Sequence, residues 1–424
     1  MIVSAIMPQL PRACFRQSLG IWRFMSLGRG TTLPIGQGGR LQLQIPKATA
    51  TMKFTTQWID SCHIAIHQQR VASAGLDGDN LEVSGGRGLH DDYLESIGLA
   101  LEVDEALGQA NLVHDEERGE QGPYLIEVII PEIFSLDILL ASGSVSVAKK
   151  MKGTCRIRLE EGNIEVGIVR GEDIVLSTNR GLVHVDELEG KVDITATTNV
   201  SARLINGSKV QIAAAGDDTV VKVGGLYSSG AQISSTGDVT VSASHGLLSV
   251  NTKGSQGDVT LSSVNGAVQV STDQGDARIH VDTLEDGTNN YVRQVLSDTG
   301  DVSLSVSQEV RANLEIKGDI GELPLSFEGH AEAHQAVGTI DRENIKTSEE
   351  AYGSAYSTTS INDGRGKIDL AGARNQSLRQ YFKTSPAKRT PPTLSVSSVG
   401  GTIRMETLSW ADNVVRKFTQ DVDK

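Results

Sequence analysis

The chain has 424 residues, 45 of them glycine, and only 4% aromatic side chains. That length buries a large core, and a composition rich in Gly, Val, Ile, Ser and Thr points to many short strands and tight turns rather than helices. The net charge of −14 is uneven: seven of the 39 basic residues precede the first acidic one, Asp60, leaving 32 against 53 beyond it. An acidic body of this kind repels phosphate backbones and excludes nucleic acid as an expected partner.

The three cysteines, Cys14, Cys62 and Cys155, are widely separated. They give neither a disulfide framework nor zinc spacing, and a reducing or neutral compartment fits them best. No apolar run reaches the length of a membrane span; residues 124–148 come nearest and are interrupted by Glu127, Pro131, Glu132 and Asp137.

Residues 1–38 form an acid-free arm in which Arg12, Arg16, Arg23 and Arg29 alternate with Cys14, Phe15, Leu19, Trp22 and Phe24. Positive charge with an apolar face is the pattern of a mitochondrial presequence, and cleavage is expected near residues 25–38. A secretory signal fits less well, because residues 1–10 carry the apolar stretch ahead of the arginines and are broken by Pro8.

Residues 39–123 read as strands and loops leading into a repeat. Leu41, Leu43 and Ile45 alternate with polar residues, as do Cys62, Ile64 and Ile66, and residues 46–51 read as the turn between them. Residues 70–123 are less regular, with long surface loops.

The repeat occupies residues 124–320. Gly143-Ser-Val-Ser-Val147, Gly162-Asn-Ile-Glu-Val166, Gly190-Lys-Val-Asp-Ile194, Gly237-Asp-Val-Thr-Val241 and Gly257-Asp-Val-Thr-Leu261 are short alternating strands, each introduced by glycine. The turns recur about every nine residues, so two strands make a coil of about nineteen. Hairpins joined by Asn-Gly or Asp-Gly turns do not fit, since the strands are too short and the turns lead with glycine. The spacing predicts an all-β fold, a single-stranded right-handed parallel β-solenoid whose coils pair with their neighbours above and below. Val239 and Val241, Val259 and Leu261, Val268 and Val270, and Ile279 and Val281 are expected inside, with Asp238, Thr240, Ser249, Thr260 and Gln269 outside. The glycines are expected to supply positive φ at corners, and the aspartates of the recurrent Gly-Asp pairs to bond their own turn backbone.

In residues 321–424, two further strand regions flank a basic, proline-bearing segment, residues 374–392, expected to be a mobile loop. Ala411, Val414, Val415, Phe418 and Val422 then recur at helical spacing, which predicts a capping helix over the last coil.

With Ile126-Glu-Val-Ile-Ile-Pro131 and Gly153-Thr-Cys-Arg-Ile157, these segments make residues 40–310 resemble the adhesin-like β-solenoid domain family, a domain of unknown function widespread in bacteria. The presequence-like arm makes the chain similar to its eukaryotic branch, the family-with-sequence-similarity 185 type. The resemblance implies a parallel β-solenoid and carries over no catalytic residues.

One enzymatic pattern is present in outline. Asp217-Asp218, Ser244-His245-Gly246 and Arg278-Ile279-His280 follow the order of motifs in polygalacturonase-like glycosidases, in which paired carboxylates protonate the leaving oxygen and activate water. The Asn-Thr-Asp motif is absent and few aromatic rings are available to stack on sugars, so Asp217, Asp218 and His245 also read as ordinary solenoid corner residues. His330 and His334 offer an i, i+4 pair without a convincing helix, and Cys62 lies on the opposite strand face from His63 and His67. No metal or cofactor is expected. Sequons occur at Asn199, Asn206 and Asn375. The expected function is a non-enzymatic binding or scaffold protein in mitochondria with an unidentified protein partner; the alternatives are a secreted or surface adhesin and a carbohydrate-active hydrolase. The oligomeric state is not legible.

Overall fold

The structure, a computed structural model, describes residues 31–68, 94, 98–114, 123–216, 218–252, 256–285, 288–294, 300–307, 310, 313–317, 335–341, 357–362, 365–369, 392–398, 403–408 and 412. Its described residues are nearly all strand, wound as a parallel β-solenoid of about 7 turns. No helix among them is long and apolar enough to cross a membrane. Each coil offers two strands to the stack. Along one face Ile174, Val192, Val210, Ala231, Leu248 and Val268 pair in succession. Along the other, Ile164, Val183, Val200, Val221, Val239, Val259, Ala277, Val302 and Ile403 form one unbroken ladder. Every member of both rows is buried.

The alternation that marks these residues in the sequence is therefore the alternation between core and solvent, as expected for a pleated strand packed on one side. Val241, Leu261, Val268, Val270, Ile279 and Val281 all lie inside.

Glycines hold the corners for two reasons. Gly162 has φ 128°, and a Cβ there would stand 1.6 Å from the carbonyl oxygen of Gly143 in the preceding coil. Gly257 is not left-handed, yet a Cβ would meet the Gly237 carbonyl oxygen at 2.4 Å. The expected positive φ accounts for the first; close stacking of neighbouring backbones accounts for the second.

The two ends of the stack depart from the order of the sequence. Gly39–Gln57 is a full coil, not a lead-in, and it lies between two others: its first half pairs with Gln109–His114 on one side and its second half with Tyr124–Pro131, while Phe134–Lys152 pairs along its whole other edge. Residues 46–51 are strand rather than a turn, and the chain changes direction at a register irregularity between Ile45 and Thr49. Pro46 has no N–H for the ladder, which places the irregularity there. The outer coil is finished by antiparallel strands: Leu99–Asp104 covers Gln109–His114, and Cys62–Gln68 covers Tyr124–Pro131 and is itself covered by Thr31–Leu33.

At the far end the chain order is broken as well, here by parallel strands. Thr393–Ser397, from the end of the chain, pairs with Asn289–Gln294 on one side and Asn313–Lys317 on the other, and Ile403–Leu408 pairs with Val302–Ser307. Residues 374–391 and 413–424, which contain the expected mobile loop and most of the expected capping helix, lie outside the described residues.

Candidate functional site

Because coils stack in register, outward side chains form rows as regular as the core ladders. One row runs without a gap from Lys152 through Arg170, Glu189 and Asn206 to Tyr227, His245, Asn265 and Thr283. It stands where the second strand of each coil ends, just before the corner. Its charged part is neutralised by ion pairs: Lys152 stands 3.2 Å from Glu132, Arg170 donates from Nη2 to Glu187 Oε1 at 3.0 Å, and the Arg170 Nε stands 2.9 Å from Glu189 Oε2. The Glu187 hydrogen bond, then the charge of Glu189, hold the Arg170 guanidinium above its usual range. The centre of the row is uncharged and accessible. Tyr227 is 46% exposed, its ring centroid lies 6.1 Å from that of His245, and Thr283 donates to Asn265 Oδ1 at 3.1 Å. Amide, phenol and imidazole groups on a rigid sheet can bind through hydrogen bonds and stacking.

The residues selected from the sequence as a glycosidase constellation are spread out. Asp217 lies outside the described residues. Asp218 is exposed at the turn preceding Val220, and His245 stands opposite Tyr227, at the far end of that strand. The seven steps from Val220 to Tyr227 span roughly 23 Å at the usual strand rise. Arg278 faces solvent and contacts Asp276 at 2.8 Å and Asp258 at 3.7 Å, whereas His280 is buried. His330 and His334 lie outside the described residues. Cys62 points into the core while His63, on the other strand face, meets Thr32 Oγ1 at 2.8 Å.

One polar set escapes sequence reading. His280 Nδ1 lies 2.8 Å from Ser305 Oγ, His280 Nε2 lies 3.0 Å from Asp282 Oδ1, and Ser263 donates to Asp282 Oδ2. Strict alternation would turn His280 outward between Ile279 and Val281. A register irregularity against the preceding coil, between Leu261 and Val264, buries all three instead. The trio has the membership of a hydrolytic triad, but Ser305 is 2% exposed and His280 6%. A nucleophile so placed has no substrate within reach, and the set serves as a polar peg joining successive coils.

The Gly-Asp corners also stack. Asp238 Oδ1 accepts the Asp258 N–H at 2.9 Å, Asp258 the Asp276 N–H at 2.9 Å, and Asp276 the Asp301 N–H at 2.8 Å. Each aspartate thus bonds the next coil, not its own turn as the sequence suggested. Among the described residues no group of three or more His, Cys, Asp or Glu is placed to hold a metal ion. Burial pushes the Cys62 and Cys155 thiols up to about 12, so neither presents a thiolate at neutral pH. No family model, curated protein or solved structure matches the chain.

Proposed function

We propose that this chain is a non-enzymatic, adhesin-like β-solenoid of the family-with-sequence-similarity 185 type that acts in mitochondria as a scaffold for a protein partner. The observation that carries the reading is the outward row centred on Asn206, Tyr227, His245 and Asn265, an uncharged and regularly spaced strip on a rigid sheet. Rigid aromatic and amide groups bind at low entropic cost, as hot-spot residues do. The acid-free arm supports the organelle. The coils wind right-handed, in keeping with the strong handedness of parallel crossovers, and the helical spacing of residues 411–422 supplies the cap at the C-terminal end. Nucleic acid is not a partner of so acidic a body.

The test is to express the full chain with a C-terminal tag, fractionate cells and read the mature N-terminus by mass spectrometry. Partner recovery by crosslinking is then compared between the wild type and a Tyr227→Ser, Asn265→Lys variant. A terminus between residues 25 and 40 in the mitochondrial fraction, with the crosslinked partner lost in the variant at unchanged melting temperature, is the expected result. An intact chain in the secretory route overturns the localisation.

A second reading, a secreted adhesin, is favoured by the exposed sequon asparagine Asn206 in the middle of the row; a glycan there would cover the strip. The hydrolase reading would require loss of a measured hydrolytic activity in Asp217→Asn and Asp218→Asn.

A further inference from the structure

Among the described residues, the three most exposed large apolar side chains stand on segments that meet at one corner of the N-terminal end. Trp58 is 86% exposed, Leu107 68% and Ile133 48%. They come from three segments that meet on residues 36–40. The Gln37 side chain donates from Nε2 to the Ile59 carbonyl at 3.1 Å and accepts the Ile133 N–H at its Oε1 at 3.1 Å. Gly38 N–H donates to the Ile133 carbonyl at 2.7 Å, and Arg40 N–H to the Gly108 carbonyl at 2.9 Å. The three side chains are thus presented by tied backbone rather than by separate loops. Isolated exposed apolar residues are ordinary, but a tryptophan and two aliphatic side chains fixed at one corner have the composition of a docking site.

The surroundings are acidic. Asp60, Asp104 and Glu105 are exposed, and none of them forms an ion pair among the described residues. The nearby Glu132 is by contrast neutralised by Lys150 at 3.6 Å and Lys152 at 3.2 Å. An apolar centre with an acidic rim fits a basic segment that carries bulky apolar residues.

This chain supplies one. The thirty residues before Thr31 hold Arg12, Arg16, Arg23 and Arg29, no acid, and Leu19, Trp22 and Phe24. They join the body at the same corner: Thr31 pairs with Ile64, Leu33 pairs with Cys62, and Gly36 packs so closely on the Asp60 carbonyl that a Cβ would stand 2.8 Å from it. We propose that the arm, through its segment 12–30, docks in cis on the corner formed by Trp58, Leu107 and Ile133, with its arginines facing Asp60, Asp104 and Glu105. A tether this short gives an effective concentration on the order of millimolar, so a contact too weak to bind in trans is occupied in cis. Removal of the arm then opens the corner, which makes docking a property of the uncleaved chain.

The test is limited trypsin digestion of the full chain, following cleavage at Arg12, Arg16, Arg23 and Arg29 by mass spectrometry. It compares the wild type with Trp58→Ser, Leu107→Ser and, separately, with Asp60→Lys, Glu105→Lys. Where opening is fast, proteolysis tracks the open population, so both variants are expected to be cleaved in the arm about tenfold faster than the wild type. Melting temperatures should be unchanged, because every substituted side chain is exposed, and molar salt should accelerate wild-type cleavage in the same direction. Equal rates in wild type and both variants overturn the proposal. Protection that disappears on dilution also overturns it, because the occupant is then a second copy.

Discussion

A single added methyl group distinguishes the two kinds of glycine in this fold. At Gly162 the backbone is left-handed and the neighbouring carbonyl is already in contact distance, whereas at Gly230 a Cβ would meet nothing within 4 Å. Gly162→Ala is expected to cost about 4 kcal/mol or more, or to prevent folding, and Gly230→Ala to change stability by less than about 0.5 kcal/mol. Denaturant midpoints at equal m-values check both. The buried thiols make a pH prediction. Cys62 and Cys155 stay protonated in the fold up to about 12, while in the unfolded chain they ionise from their ordinary 9.0. The unfolded state therefore releases protons first, and stability present below pH 9 falls as pH rises toward 12, by about 1.4 kcal/mol per pH unit for each thiol. Cys62→Ala and Cys155→Ala should lower the starting melting temperature but flatten its decline between pH 9 and 11; parallel slopes in wild type and variants would contradict the burial assigned to them.

At the scale of the strand and coil, stability is a sum of neighbour contacts, so damage at one coil spreads to the coils beside it. Val241 is buried between Val223 and Leu261 on adjacent coils. Val241→Asp places an unpaired carboxylate in that ladder and is expected to cost more than about 4 kcal/mol, seen as lost β circular dichroism and a collapsed melting transition. This is also the scale at which the sequence is most legible. The alternation at Val239 and Val241 or Val268 and Val270 states its own inward face, and the glycine spacing states the coil length, because both are local consequences of strand geometry. His280 was not legible, since a one-residue irregularity reverses its face and no neighbouring residue announces it. The position of Gly39–Gln57 in the stack was not legible either: it is fixed by pairing with residues some seventy positions later, and alternation says which face is buried but not which strand lies alongside. The outward row and the Trp58 corner were hidden for the same reason, as each assembles residues that are neighbours only across coils.

For the whole molecule, the inward placement of both terminal segments decides what happens at the edges. Removing residues 393–424 would strip Asn289–Gln294 and Asn313–Lys317 of a shared partner strand and Val302–Ser307 of its own, and so uncover three parallel edges at once. Exposed edges recruit other chains. The truncated protein is expected to form concentration-dependent oligomers and to bind amyloid dyes, measured by light scattering and dye fluorescence; a monomeric truncation with unchanged melting would show that the segment is dispensable. The same arrangement has a mechanical meaning. In a plain solenoid, a load applied to the end of the chain peels the outermost coil along one ladder. Here the first complete coil, Gly39–Gln57, is bonded along both of its edges, and so is Thr393–Ser397. Tension drawn through the N-terminal end must break ladders on both edges before Gly39–Gln57 yields, whereas at the C-terminal end Ile403–Leu408, paired with Val302–Ser307, comes away before the doubly bonded Thr393–Ser397.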